Sequence, residues 1–176
     1  MTPTLGLDVG RVLISPGDDS RPDTSFIGGS LEDALRTPPY EGMFDVVPQL
    51  VTQFAARVWI ISKCGARVQQ RTRDWFAHHR FFERTGIDPA NVRFCLQRPQ
   101  KATHCAALGI THFIDDRTDV LEPMLGVVPN LYLFGPQRQP LPITAPFIPV
   151  PTWERVAQVL LEKRPAQSPS GRAAMI

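Results

Sequence analysis

A run of short apolar segments, each closed by a polar or acidic residue, constrains this chain more than any other feature. Thr4-Leu-Gly-Leu-Asp8-Val9 reads as a buried strand ending in an acid. Arg57-Val-Trp-Ile-Ile61 is a second strand, with Ser62 at its end. Asn91-Val-Arg-Phe-Cys95 is a third and weaker one, and Thr111-His-Phe-Ile-Asp115 is a fourth that ends in the pair Asp115-Asp116. Asn130-Leu-Tyr-Leu-Phe134 is a fifth. Strands this uniformly apolar have no wet face, so they belong in a parallel sheet covered on both sides.

The intervening segments supply the cover. Leu31 to Arg36 follows Ser30, a good helix cap, and Met43 to Ala56 spaces Phe44, Val47, Leu50, Val51 and Phe54 helically. Pro48 falls inside that second segment, so a kink or a late start is expected there. Gly65 to Arg80 is a polar helix carrying Val68, Trp75 and Phe76, and Lys101 to Leu108 is a short one stopped by Gly109. Val120 to Leu125 reads as helix, and Thr152 to Lys163 is amphipathic, with Trp153, Val156, Val159 and Leu160 on one side. Prolines 136, 140, 142, 146, 149 and 151 predict little regular structure between the last strand and that helix. The expected fold is therefore α/β, a three-layer Rossmann-like parallel sheet with helices on both faces. In such sheets ligands bind beyond the carboxyl ends of the strands, where Asp8, Ser62, Asp115 and Asp116 all fall.

Length and charge narrow the setting. A chain of 176 residues suits one domain, taken as residues 1–163, with a flexible C-terminal tail over 164–176 that is rich in Pro, Ser, Gly and Ala. The net charge of +2 is scattered, which argues against nucleic acid or an anionic membrane as partner. No apolar run reaches the roughly 20 residues that span a bilayer, and no basic leader with a cleavage site opens the sequence. Three cysteines in no CxxC spacing cannot all pair, so a reducing, cytoplasmic location is expected.

Four stations occur in order: Leu7-Asp8-Val9-Gly10-Arg11-Val12, Trp59-Ile60-Ile61-Ser62, Lys101 ahead of a short helix, and Phe113-Ile114-Asp115-Asp116. Together they resemble the haloacid dehalogenase (HAD)-like superfamily, in particular its small, minimal-cap phosphatases and nucleotidase-like members, over about Leu5 to Phe134. The resemblance implies that Asp8 attacks phosphorus and forms an aspartyl-phosphate, which water then hydrolyses. It implies Mg²⁺ held by Asp8, the carbonyl of Gly10, Asp115 and Asp116, with Asp115 touching the metal directly. Ser62 would donate a hydrogen bond to the phosphoryl group and Lys101 would neutralise its charge, with Lys63 competing for that role. Arg11 would contact a substrate anion. The substrate class implied is a small phosphorylated metabolite or nucleotide.

One position departs from the family. Its phosphatases usually carry a second acid two residues after the nucleophile, where this chain has Gly10. General acid help is worth roughly 10²–10⁴ in rate. Two other readings follow from its loss: a catalytically degenerate binding or regulatory protein, and a metal-independent hydrolase of carbon–halogen or carbon–phosphorus bonds. Residues 15–42 lie where the family inserts its cap, a short insertion holding Asp18, Asp19 and Asp23 as candidate replacement acids and Thr24 to Ser30 as a flexible run. So little cap implies an open site, suited to a macromolecular substrate or to closure by a partner subunit in a homodimer. His78-His79 reads as a solvated helix face, His104 and Cys105 as structural, Cys64 as unreactive, and the three tryptophans as packing residues.

Overall fold

The protein is described by a computed structural model over residues 2–16, 29–137 and 144–161. Asp18, Asp19, Asp23, most of the Thr24–Ser30 run and the 164–176 tail lie outside the described residues. Six strands form one sheet: β1 (Leu5–Leu7), β2 (Val58–Lys63), β3 (Val92–Cys95), β4 (His112–Asp115), β5 (Asn130–Phe134) and β6 (Ile148–Val150). Their order across the sheet is β3-β2-β1-β4-β5-β6 and every pair is parallel. The expected α/β sheet is the observed one.

Alternate residues of each strand sort into two cores, as a sheet buried on both faces requires. Leu5, Leu7, Val58, Ile60, Ile114, Tyr132 and Phe134 pack on one side, and Ile61, Phe113, Leu131 and Leu133 on the other. The first side is covered by α2 (Met43–Gln53), α3 (Ala66–His78), α4 (Phe81–Thr85) and α7 (Trp153–Leu160), through Val47, Leu50, Trp75, Phe81, Trp153 and Val156. The second is covered by α5 (Gln100–Leu108) and α6 (Thr118–Leu121), with Cys105, Val120 and Leu121. At Gly6 the second side comes too close for a side chain, since a β carbon there would sit 2.4 Å from the Phe113 ring.

Local chemistry sets several element ends. Ser30 caps α1 (Leu31–Arg36) with a full capping box, its hydroxyl accepting from Asp33 N while the Asp33 carboxylate accepts from Ser30 N. Gly109 ends α5 in the left-handed conformation. α2 starts at Met43, ahead of Pro48, so the proline delays nothing. Two elements differ from expectation. Phe81–Thr85 forms α4, because Phe81 has core to fill against Phe76, their rings 4.4 Å apart. Ile148–Val150 forms β6 despite Pro149, because it is an edge strand and a missing donor can face away from the sheet.

Two histidines also have firmer positions than their surroundings in sequence suggest. His79 is not on a solvated face: its ring lies 4.2 Å from that of Trp75, and its Nε2–H donates to Leu35 O at 3.0 Å. His112 stacks parallel to Tyr132 and meets Phe54 edge-on. Burial lowers the pKa of both below the ordinary 6.5. The unfolded chain therefore takes up protons first as the pH drops, and stability present above about 6.5 is lost as the pH falls through and below that value. Urea unfolding at pH 7.5 and pH 5.5 should show this, and His112→Gln should flatten the difference between the two. An unchanged difference in the variant would remove His112 from the account.

Candidate active site at the strand ends

The sheet order creates the site. The chain runs outward from β1 to β2 to β3, then crosses back to place β4 on the other side of β1. That reversal opens a crevice at the carboxyl ends of β1 and β4. Asp8 follows β1 directly and Asp115 closes β4, while Leu7 is level with both Ile60 and Ile114. Asp8 N–H donates to Ile114 O at 3.0 Å, which fastens the two strand ends together.

Lys101 joins them chemically. Its Nζ donates to Asp8 Oδ1 and to Asp115 Oδ2, each at 2.7 Å. α5 turns it inward: Lys101 and Cys105 lie one turn apart on the buried face of that helix. The Gln100 side-chain oxygen accepts from the N–H groups of Leu96 and Gln97 at 3.0 Å each, and so fixes the chain entering the first turn. Lys101 is 2% exposed and Asp115 is fully buried. Burial works against the Lys101 ammonium, yet Asp115 and Asp8 outweigh it and hold its pKa above the ordinary lysine value. Burial pushes the Asp115 carboxyl above the usual carboxylate range, with Lys101 pulling it back and Asp8 adding to the rise.

Asp116 completes the acidic group. Asp8, Asp115 and Asp116 each offer a carboxylate oxygen within 4.8 Å of the others. The Arg11 Nε stands 3.4 Å from Asp116 Oδ2. Arg11 has a φ of 61°, a left-handed backbone in a residue other than glycine, which costs on the order of 1–3 kcal/mol. The turn that imposes it is tightly bonded: Val9 O accepts from Leu13 and Ile14, and the Trp153 indole N–H donates to Val12 O.

These residues suit a hard divalent cation. All donors are oxygens, and no backbone hydrogen bond is made to the Gly10 carbonyl among the described residues. The charge also fits. Three carboxylates face Lys101 and Arg11, which leaves one negative charge over and would repel a phosphate. Each Asp115 oxygen already accepts one hydrogen bond, Oδ2 from Lys101 and Oδ1 from Arg117 N–H at 3.1 Å. Each keeps a second lone pair for a metal. Among the described residues Asp8 has only Oδ1 engaged, and its Oδ2 carries no hydrogen bond.

The remaining expected residues are close by in the fold but less engaged. Ser62 is buried at the end of β2, and no hydrogen bond links it to Lys101 or the three carboxylates. Lys63 is exposed beside it. Cys64, Cys95 and Cys105 are free and buried, and burial pushes the Cys64 thiol up to about 11 and Cys105 to about 12, so neither is a nucleophile at neutral pH. Two residues had no sign in the sequence. Arg71 is buried in α3 and donates to Gly29 O at 2.8 Å, and Gln137 ties the end of β5 to Asp116 O. A lone arginine or glutamine on a polar stretch carries no local mark of such a role.

No protein-family model matches the sequence, and no curated protein does. Solved structures do share the fold. A HAD-superfamily hydrolase from Ehrlichia chaffeensis is similar over 90% of this chain and 95% of its own, with a TM-score of 0.59 at 8% identity. A haloacid dehalogenase-like family hydrolase from Xanthomonas campestris is similar over 89% of this chain and 94% of its own, with a TM-score of 0.55 at 12% identity. At these identities the shared property is the fold.

Proposed function

We propose that this chain, which has the fold of the HAD-superfamily hydrolases, is a Mg²⁺-dependent phosphohydrolase acting on a small phosphorylated metabolite or nucleotide through an aspartyl-phosphate at Asp8. The observation that carries the proposal is Lys101 held between Asp8 Oδ1 and Asp115 Oδ2, with Asp116 close enough to share a cation. Asp8 Oδ2 is the attacking oxygen, because Oδ1 is committed to Lys101. Two of the three ammonium N–H groups are spent on carboxylates, which leaves one for a phosphoryl oxygen. Ser62 donates a second hydrogen bond to that group, and Arg11 and Lys63 meet the anionic remainder of the substrate.

Asp8, Asp115, Asp116 and the Gly10 carbonyl would hold the metal. Bound Mg²⁺ would supply the positive charge that lets a carboxylate approach a phosphate. No helix among the described residues is long and apolar enough to cross a membrane, and three free buried cysteines support a cytoplasmic setting.

A panel of phosphate donors, from acyl phosphates to alkyl esters, assayed with Mg²⁺ and with a chelator tests the proposal. Turnover should require the metal and disappear in Asp8→Asn. Gly10 favours a second reading, a binding or regulatory protein without turnover. Binding of these compounds without turnover of any of them would put that reading in place of the first.

A further inference from the structure

We infer that the donor suited to this site is an anhydride of phosphoric acid, an acyl phosphate or a phosphoanhydride, and not an alkyl phosphate ester. The inference rests on the reading of Asp8 as nucleophile and narrows its substrate class. An alkoxide must receive a proton as it departs, and a placed acid is worth roughly 10²–10⁴ in rate there. A carboxylate or a phosphate departs as a stable anion and needs none.

The groups around Asp8 offer no such proton among the described residues. Gly10 has no side chain, and a β carbon built on it would meet nothing within 4 Å, so the space beside the nucleophile is open. Asp115 has one oxygen on Lys101 and the other on Arg117 N–H. Asp116 faces the Arg11 guanidinium. The Lys101 ammonium is pinned between two carboxylates, to which two of its N–H groups already donate. The Cys64 thiol is buried and a very weak acid.

What the rim offers instead is positive charge for a departing anion. Arg98 and Arg117 are paired with Asp119, and Arg11 with Asp116. Lys63 and Arg67, at the end of β2 and in the first turn of α3, are exposed and have no carboxylate partner among the described residues. That first turn holds no acid, and its cap, Gly65, has no side chain to close off the backbone N–H groups.

The step balances without proton transfer. A bond forms from Asp8 Oδ2 to phosphorus as the bond from phosphorus to the carboxylate or phosphate oxygen breaks, and the electron pair leaves with that oxygen. Water then attacks phosphorus, and the pair of the broken bond returns to Asp8. One proton of the water stays on the released phosphate and the other passes to solvent. The same lack of a proton-handling group slows this second step, so phosphoenzyme accumulates.

The full-length protein with Mg²⁺ is mixed with acetyl phosphate, inorganic pyrophosphate or glycerol 3-phosphate, quenched in acid, and its phosphoenzyme followed by intact mass. At least one anhydride should label the protein on the order of 10³-fold faster than glycerol 3-phosphate, and label should be absent in Asp8→Asn. The faster anhydride identifies whether the leaving group is a carboxylate or a phosphate. Labelling by glycerol 3-phosphate within about tenfold of both anhydrides overturns the inference, by showing a proton donor in reach, and leaves Asp8 as nucleophile. No label and no phosphate release from any donor, or label that persists in Asp8→Asn, overturns the reading of Asp8 itself.

Discussion

Lys101→Met should lower stability by about 3–5 kcal/mol and remove turnover. The lysine is buried between two carboxylates, and removing one partner of a buried ion group leaves the other charges uncompensated at about that cost. The loss is larger than a surface lysine would give, where exposed pairs are worth about 0–1 kcal/mol. Urea unfolding measures it directly. A second readout separates charge from packing: Mg²⁺ should raise the Tm of the methionine variant more than that of the wild type, because the cation restores charge beside Asp8, Asp115 and Asp116. Lys101→Arg keeps the charge but replaces a point donor by a wide planar one, so it should keep more of the stability and lose most of the activity. A stability change under about 1 kcal/mol in Lys101→Met would mean that the bridge does not persist in solution.

Gly10→Asp should raise the rate on alkyl phosphate esters by roughly 10²–10⁴, or about 3–6 kcal/mol of barrier. The structure allows the substitution. Gly10 is exposed, its φ lies outside the left-handed region, and nothing stands within 4 Å of a new β carbon. Stability should therefore change by no more than about 0.5 kcal/mol, as for an ordinary surface position. Gly10→Asn has the same shape without an acidic proton, so comparison of the two variants isolates proton donation from space filling. A folded Gly10→Asp with an unchanged ester rate would show that leaving-group protonation does not limit this protein.

Much of this was legible in one dimension because local chemistry fixed it. The apolar runs at β1, β2, β4 and β5 have no wet face, so they imply a sheet covered on both sides. Ser30 and Gly109 mark helix ends through capping and left-handed backbone, which depend on near neighbours alone. Strand-end acids mark the crevice because a polar residue closing a buried strand has to meet solvent or a partner. β6 and α4 were not legible, since Pro149 argues against a strand until its edge position is known, and the aromatic contact that holds α4 comes from α3.

The amino-acid order by itself determined the α/β class, the helix boundaries set by caps, and the identity of Asp8, Ser62, Lys101, Asp115 and Asp116 as residues to watch. Only the tertiary structure decided their company. The crossing that sets β4 beside β1 brings Lys101, 93 positions away in the chain, onto Asp8, and draws Arg11 to Asp116. Burial then turns a helix-start lysine that could pass for a solvated one into the bridge of the site, because an ammonium in a low-dielectric interior is stable only where carboxylates surround it.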